Sequence, residues 1–227
     1  MFTLHIANKN YSSWSLRPWV LMRTLNIPFN EQLHPFDPDS NWAVYRTFSP
    51  SGKVPCLQDN EIHIWDSLSI AEYLAETYPQ VWPADKAARA WARSASAEMH
   101  SGFQALRNNC SMSCGHRIQI HAISAALQKD IARIDELWNE GLRKFSGAFL
   151  AGEKFTAVDA FFAPVAFRFQ TYGLSLTGAA QEYLARLLNL PAMQEWYASG
   201  LAETWREPEH EQEILAAGTL LADLRNQ

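Results

Sequence analysis

The sequence predicts a small α/β domain followed by a larger, all-helical domain. Over the first part of the chain, strand and helix patterns follow one another in the order β-α-β-β-β-α. After the segment Pro-Gln-Val-Trp-Pro at 79–83, strand patterns fade and long helical patterns take over. Prolines at both ends of that segment interrupt regular structure. We therefore predict one domain at 1–79, a linker at 80–85 and a second domain at 86–227.

The α/β domain opens on a strand, because Phe2, Leu4 and Ile6 alternate with polar residues. A polar turn then leads into the first helix. The connection at 34–50 contains three prolines and is long enough to suggest a binding role. The other elements predicted in this domain are strands at 29–33, 54–57 and 62–64 and a helix at 67–78.

The second domain is predicted to consist of helices. Two long helices are expected at 86–106 and 118–145, and in the second one apolar residues recur on one face. Thr156 and Asp159 have the spacing of a capping box, in which two side chains satisfy the free backbone donors at a helix start. Shorter helices are predicted at 179–188, 192–202 and 208–217.

Composition and charge exclude several classes of protein. The chain has 227 residues, a net charge of −5 and 48% hydrophobic residues, which favours folded domains and argues against an electrostatic nucleic-acid surface. No apolar run is long enough to span a bilayer, and the first residues lack a secretory signal pattern. Three cysteines, an odd number, favour a reducing cytoplasm over a disulfide framework. We therefore expect a cytoplasmic protein without nucleic-acid or membrane partners.

A hydroxyl-rich turn, Tyr11-Ser12-Ser13, stands between the first strand and the first helix. Serines before a helix commonly cap its free backbone donors. Alternatively, one hydroxyl donates a hydrogen bond to a bound thiolate, with Tyr11 as a rival donor. Lowering a thiol pKa from about 8.5 to about 6.5 requires roughly 2.7 kcal/mol, and a hydrogen bond to a charged group supplies about 1.5–3 kcal/mol. Because the positive helix end adds to this, the turn can activate a thiol without a metal or a base.

The motif Gly52-Lys53-Val54-Pro55 can offer a strand edge to an extended peptide. A Val-Pro bond adopts the cis form at low cost, and a cis proline at a strand start would turn the Val54 backbone outward. Lys53 beside this edge would then meet a carboxylate, although an exposed lysine is commonly just solvated.

Asp66 and Ser67 open a helix and have two compatible interpretations. They can act as caps. They can also bind a ligand, because a helix N-terminus attracts a carboxylate, which Ser67 can bond while Asp66 holds an amino group. Together with the hydroxyl-rich turn and the Lys53-Val54 edge, this helix start suits a short anionic peptide that carries a thiol.

The cysteines give only a weak signal for a metal. Cys110 and Cys114 are separated by three residues, unlike the usual redox pair. His116 lies nearby, but a second ligand pair at characteristic spacing is missing. Cys56 follows a proline on a predicted strand and is expected to be buried. We therefore predict no metal site.

In the order and spacing of these motifs, the chain resembles the cytosolic glutathione S-transferases over nearly its whole length. The resemblance implies a thioredoxin-like N-terminal domain (βαβ-ββα), an all-helical C-terminal domain, glutathione as co-substrate and a homodimer. It also implies Ser12 as the thiol-activating hydroxyl, with Ser13 beside it. The residues implied to bind the rest of glutathione are Lys53 at its glycyl carboxylate, Val54 and Pro55 along its backbone, and Asp66 and Ser67 at its γ-glutamyl end.

The first turn is most similar to the zeta class, the maleylacetoacetate isomerases, whose motif is Ser-Ser-Cys-Ser. Here Trp14 stands at the cysteine position, which argues against the isomerase reaction. The family's electrophile pocket lies between this turn and the first long helix of the second domain. The candidates there are Trp14 and, at helical spacing, His100, Phe103 and Arg107, and a structural role is at least as good an interpretation for the last three. We expect a transferase that adds the glutathione thiolate to a small electrophile, with glutathione-dependent isomerisation or non-catalytic ligand binding as alternatives.

Overall fold

The computed structural model describes residues 1–37 and 39–225. In the N-terminal part the elements are β1 (Phe2–Ile6), α1 (Ser13–Thr24), β2 (Phe29–Leu33), α2 (Trp42–Tyr45), β3 (Cys56–Asp59), β4 (Ile62–Ile64) and α3 (Ser67–Thr77). After a 3₁₀ turn at Pro79–Val81, the elements are α4 (Lys86–Ser101), α5 (Gln104–Asn109), β5 (His116–Ile120), α6 (Ala125–Phe145), α7 (Ala157–Tyr172), α8 (Gly178–Leu188), α9 (Pro191–Ala202), α10 (Pro208–Ala216) and β6 (Gly218–Asp223).

The N-terminal sheet has the strand order β2-β1-β3-β4. Strand β1 runs parallel to β2, with Leu4 opposite Glu31, and antiparallel to β3, with Leu4 opposite Leu57. The alternation in β1 buries Leu4 and Ile6 completely, because successive side chains of a strand point to opposite faces of the sheet. The sequence-based prediction of a thioredoxin-like domain followed by a helical one is confirmed.

Helix α7 forms the centre of the second domain. Every residue of α7 except Gln170 is buried, as expected for a helix that is apolar on all sides. Its predicted capping box is confirmed, because Asp159 accepts hydrogen bonds from the backbone N–H of Thr156 (2.9 Å) and that of Leu150 (3.0 Å). The hydroxyl of Tyr183 donates a further bond of 2.8 Å to the same carboxylate.

Helix α1 packs against α7 and α9 and thereby joins the two parts of the chain. Trp19 of α1 and Trp196 of α9 are both fully buried, with ring centroids 5.1 Å apart at an interplanar angle of 66°. Such an edge-to-face pair buries a large apolar area. This interface positions the N-terminus of α1, where the candidate site lies.

Besides its helices, the described part of the second domain contains a two-stranded sheet, which the sequence analysis missed. Strand β5 pairs antiparallel with β6, about one hundred positions further along the chain. The helix predicted at 118–145 therefore begins at Ala125, and the alternating segment at 116–120 is a strand. The helix predicted at 86–106 also ends early, at Ser101.

The early end of α4 has a local backbone cause. Phe103 takes a left-handed conformation with φ of +59°, which a continuing helix does not allow. A side chain at Gly102 would lie 2.8 Å from the carbonyl oxygen of Glu98, so that position accepts only glycine without a shift of the backbone.

Within 1–37 and 39–225, no helix combines the length and the apolar character needed to cross a membrane.

Candidate active site

A cavity of about 360 Å³ opens beside the turn that precedes α1. Both parts of the chain contribute to its wall. Its lining residues are Tyr11, Ser12, Ser13, Trp14, Phe36, Asn41, Tyr45, Gly52, Lys53, Val54, Ser111, Met112, Arg168, His210 and Glu213. The structure thus brings the hydroxyl-rich turn and the Lys53-Val54 edge together in one cavity.

Ser12 occupies the N-cap position of α1 and is 6% exposed. Its side chain makes no capping hydrogen bond. Instead, Ser12 Oγ donates to Ser15 Oγ at 2.7 Å, and Ser15 Oγ also accepts from the backbone N–H of Ala7 at 3.2 Å. The Ser12 hydroxyl therefore lies at the positive end of a helix without serving as its cap, and its proton is donated to another side chain, Ser15.

Hydrogen bonds from the second domain hold the turn that carries Ser12 in place. Glu203 accepts hydrogen bonds from the backbone N–H groups of Lys9 (2.6 Å) and Asn10 (3.1 Å). The indole N–H of Trp196 donates to the carbonyl of Lys9 at 2.8 Å. The Asn10 side chain accepts in turn from the backbone of Cys114 at 3.0 Å. Because each of these groups is buried, the position of the turn is set by the packing of the two parts of the chain.

Tyr11 lines the cavity, but its hydroxyl is engaged elsewhere. It donates to the carboxylate of Glu211 and accepts from Arg225 Nη1 at 2.9 Å. Burial, reinforced by the hydrogen bond to Glu211, raises the pKa of Tyr11 to about 12. Among the hydroxyls of the turn, Tyr11 is thus the one least free to donate to a thiolate.

Replacing Tyr11 by phenylalanine is expected to leave the pKa of a bound thiol unchanged, because the Tyr11 hydroxyl already donates its hydrogen bond to Glu211. Loss of the bond to Glu211 should lower the free energy of unfolding by about 1 kcal/mol. Both quantities are accessible, the first by ultraviolet titration of the thiolate and the second by urea unfolding. A rise in thiol pKa in this variant would make Tyr11 the donor.

The Gly52–Pro55 segment forms the opposite wall of the cavity. The Val54–Pro55 peptide bond is cis, the isomer that the sequence analysis considered. Lys53 is exposed and Pro55 is buried directly before β3. A lysine at the mouth of this cavity is suited to pair with a carboxylate of a bound peptide.

Asp66 and Ser67 lie beside the cavity rather than in its wall. Asp66 is the N-cap of α3 and accepts from the backbone N–H of Leu68 at 2.9 Å, so the capping interpretation is correct. The other carboxylate oxygen of Asp66 lies 3.2 Å from Nε2 of His100. Ser67 is buried, and its hydroxyl accepts from Arg17 Nη1 at 3.4 Å. Asp66 and Ser67 therefore lie at a helix N-terminus, which favours a bound carboxylate.

Trp14 connects these two regions. Two guanidinium groups lie over its ring, that of Arg17 at 4.1 Å and that of Arg107 at 5.1 Å from the ring centroid. His100 meets it edge-on, with the ring centroids 5.2 Å apart. Burial lowers the pKa of His100, and the nearby Asp66 partly opposes this shift.

Of the four residues predicted for the electrophile pocket, Trp14 alone lines the cavity. His100 contacts the Trp14 ring edge-on but does not line the cavity. Phe103 is 7% exposed and packs in the hydrophobic core. Arg107 folds back onto its own segment, where it donates to the carbonyls of Gly102 (2.9 Å) and Met99.

Sequence reasoning missed the part of the wall that comes from distant segments. The missed residues are Phe36, Asn41, Tyr45, Ser111, Met112, Arg168, His210 and Glu213. One signal was present for Arg168, because an arginine within the otherwise apolar run at 160–169 is unusual for a core helix. Phe36, Asn41 and Tyr45 lie in the connection at 34–50, whose length suggested a binding role. The other missed positions carried no comparable signal.

The three cysteines take no part in this site. All are buried, and burial raises the pKa of Cys56 to about 11 and that of Cys110 to about 12. His116 contacts Ser113 and Arg225 instead of the cysteines. Among the residues that the structure describes, no group of three or more histidine, cysteine or acidic side chains is arranged to hold a metal ion.

Comparison with known families and structures gives a consistent assignment. The family model described as "Glutathione S-transferase, N-terminal domain" matches residues 11–77. The family model described as "Glutathione S-transferase, C-terminal domain" matches residues 119–199. The chain is 28% identical over 173 residues to the glutathione S-transferase-like protein OpS6 of Beauveria bassiana, covering 71% of this chain and 76% of that protein. It is 29% identical over 123 residues to the maleylacetoacetate isomerase of Rattus norvegicus, covering only 53% of this chain and 55% of the isomerase.

Two solved structures agree in fold. A glutathione transferase homolog from Burkholderia gl BGR1 with bound glutathione superposes with a TM-score of 0.66 and 22% identity, covering 88% of this chain and 97% of that one. A theta class glutathione S-transferase from Xanthomonas axonopodis pv. citri with glutathione bound gives a TM-score of 0.63 and 20% identity, covering 86% and 96%.

The fold and the two matched domains define the class of protein: the chain belongs to the glutathione S-transferase family. Its curated relatives support an enzyme with glutathione transferase or related isomerase activity.

Proposed function

We propose that this chain binds glutathione in the cavity at Ser12 and adds its thiolate to a small electrophile. Ser12 donates a hydrogen bond to the sulfur, and Ser13 lies next to it in the site. Lys53 pairs with the glycyl carboxylate, and the backbone of Val54, which lines the cavity, bonds the peptide. Asp66 and Ser67 hold the γ-glutamyl end at the N-terminus of α3.

The observation that carries this proposal is the position of the Ser12 hydroxyl. It lies at the N-terminus of α1, in the wall of a cavity shared with Lys53 and Val54, and makes no capping bond. A hydrogen bond to a charged group contributes about 1.5–3 kcal/mol, and a helix end contributes about 0.3–1 kcal/mol. These two effects suffice to bring a thiol pKa from about 8.5 to near neutrality.

Ser15 is proposed as a positioning residue for Ser12. A hydroxyl donates one proton at a time, so Ser12 cannot donate to Ser15 and to sulfur together. Ser15 is fully buried and accepts from Ala7 and Ser12, which leaves its own proton uncommitted. When the Ser12 proton turns to sulfur, Ser15 can donate to Ser12 Oγ in return, and such a chain of hydroxyls polarises its members.

Replacing Ser15 by alanine is therefore expected to raise the pKa of bound glutathione by about 0.5–1 unit, the equivalent of one ordinary hydrogen bond. The affinity for glutathione should stay the same. Ser15→Thr keeps the hydroxyl and should restore the pKa of the unmodified protein. A thiol pKa that does not differ between Ser15→Ala and the unmodified protein would remove Ser15 from the proposal.

The function itself is tested by conjugation of glutathione to a generic aryl halide. We expect retention on immobilised glutathione and an enzyme-dependent rate of chloride displacement that saturates with glutathione. Retention without turnover would instead favour a ligand carrier, and the absence of both would contradict the proposal.

A second candidate is glutathione-dependent cis–trans isomerisation, favoured by the similarity to the rat maleylacetoacetate isomerase. It requires the same thiolate, because sulfur adds to the double bond before rotation and then leaves. Trp14 adds bulk at the sulfur end, where the zeta class has a cysteine, and therefore argues for a different second substrate. Turnover of a maleyl substrate would favour the isomerase.

We further propose that the protein works in the cytoplasm as a homodimer. Burial keeps all three cysteines as unreactive thiols, in line with a reducing compartment. Size-exclusion chromatography with light scattering would test the dimer.

A further inference from the structure

Arg168 is a buried cation in the wall of the candidate active site. It belongs to α7, is 5% exposed and faces the same cavity as Ser12 and Trp14. The neighbouring positions of α7 are apolar, with Phe167 and Phe169 on either side. An arginine is rarely buried in such an apolar helix, so its presence calls for a chemical reason.

The charge of Arg168 lacks a carboxylate partner. Its guanidinium donates to the carbonyl of Cys110, and within 1–37 and 39–225 no carboxylate oxygen lies within ion-pair distance of it. Burial is the main cause that lowers the pKa of Arg168 to about 10, and repulsion from Arg107 adds to the shift. Arg17 is also repelled by both of these arginines. The region thus holds excess positive charge in poorly solvated surroundings.

A buried cation is stable in a protein when an anion offsets the lost hydration. Groups whose pKa is perturbed in this way cluster at functional sites. The carboxylates of glutathione are already assigned to Lys53 and to the N-terminus of α3, on other sides of the cavity. The charge of Arg168 is therefore left for the second substrate.

We propose that Arg168 determines specificity by binding an anionic group, of the carboxylate class, on the electrophile. This inference rests on the proposed function, because it concerns the substrate that reacts with glutathione. The planar guanidinium matches the two oxygens of a carboxylate, and the ring of Trp14 offers an apolar surface for the rest of the molecule. The electrophile is thus a small planar or aromatic acid.

The acidic residue Glu213 in the same wall provides a second test, with the opposite expected effect. Glu213 lines the cavity, is exposed, and accepts a hydrogen bond of 2.7 Å from the hydroxyl of Ser111. It is close enough to act on the charge of Arg168, although it forms no ion pair with it. Its removal should strengthen the preference for an anion, while removal of Arg168 should weaken it.

The test compares two aryl chlorides that differ in one substituent, which is charged in one compound and neutral in the other. One is para-chloro-dinitrobenzoate with the nitro groups beside the chlorine, and the other is the corresponding neutral benzamide. In both reactions the glutathione thiolate forms the carbon–sulfur bond, chloride leaves with the carbon–chlorine electron pair, and the thiol proton goes to the buffer. Each kcat/KM is divided by the rate constant of the uncatalysed reaction, which removes the intrinsic difference in reactivity.

The unmodified protein is expected to prefer the benzoate by about tenfold or more, the discrimination of one good charged hydrogen-bonded pair. Arg168→Gln should abolish this preference, Arg168→Lys should keep part of it, and Glu213→Gln should increase it. Arg186→Gln is a matched control, because it removes an exposed arginine of α8 that lies outside the cavity wall and should leave the preference unchanged. No preference in the unmodified protein, or an equal preference in Arg168→Gln, would overturn the inference.

Binding of an unreactive pair separates this inference from the proposed function. Isothermal titration with dinitrobenzoate and dinitrobenzamide requires no chemistry. Selective binding of the benzoate that Arg168→Gln abolishes, without turnover of either chloride, would uphold the anion site and contradict the transferase. Turnover of both chlorides without selectivity would uphold the transferase and remove the anion site. If Arg168→Gln does not fold, the unmodified protein and Glu213→Gln still test the inference. It requires that the unmodified protein prefers the benzoate and that Glu213→Gln increases this preference.

Discussion

Replacing Ser12 by alanine is expected to lower kcat/KM for glutathione conjugation by about 10- to 100-fold near neutral pH. The reason is the loss of one hydrogen bond to a charged sulfur, worth about 1.5–3 kcal/mol. The loss should shrink as the pH rises above about 8.5, where glutathione ionises without help. A pH profile of kcat/KM on both proteins measures the effect.

One variant serves as the control for Ser12→Ala. Ser13→Ala removes the neighbouring hydroxyl, and its profile should keep the apparent pKa of the unmodified protein. The affinity for glutathione should stay similar in Ser12→Ala, because Lys53, Val54 and the N-terminus of α3 still bind the peptide. A pH profile shifted in Ser13→Ala and unchanged in Ser12→Ala would reverse the assignment of the two serines.

Replacing Asp159 by alanine is expected to destabilise the protein by about 3–5 kcal/mol. This fully buried carboxylate accepts hydrogen bonds from the backbone of Leu150 and Thr156 and from the Tyr183 hydroxyl. Truncation leaves these buried donors without partners and opens the start of α7, on which α1 and the candidate active site depend. Urea unfolding followed by circular dichroism measures the loss, and a loss under about 1 kcal/mol would contradict the capping role.

The pH dependence of stability offers a second measurement on Asp159. Burial outweighs these hydrogen bonds and raises its pKa to about 6, against about 3.9 in an unfolded chain. Between these two values the folded protein binds a proton that the unfolded chain has released. Stability from this group is therefore full below about pH 4 and is lost as the pH rises through about 6. Asp159→Asn cannot titrate, so its unfolding temperature should not show this decline.

Local patterns were sufficient to predict the N-terminal domain and the cap of α7. The alternation in β1 and the spacing of Thr156 and Asp159 are decided by neighbours a few positions away, so the chain order reveals them. The turn at Ser12 was predictable for the same reason. Its freedom from a capping role was not, because that depends on the bond to Ser15.

Features that depend on distant partners could not be predicted. Strand β5 looked like the start of a helix because its partner β6 lies near the other end of the chain. Tyr11 remained a rival thiol donor until the structure brought Glu211 and Arg225 to its hydroxyl. The position of Arg168 in the cavity wall likewise follows from the packing of α7 beneath the segment at Cys110, which no local pattern encodes.

Titration of the glutathione thiolate by its ultraviolet absorbance, on the protein and on Ser12→Ala, tests the central claim most directly. We predict that the protein binds glutathione with a thiol pKa about 1–2 units below that of the free peptide, and that the variant binds it with a pKa close to the free value. Equal thiol pKa values in the two complexes would contradict the claim that this hydroxyl stabilises the anion.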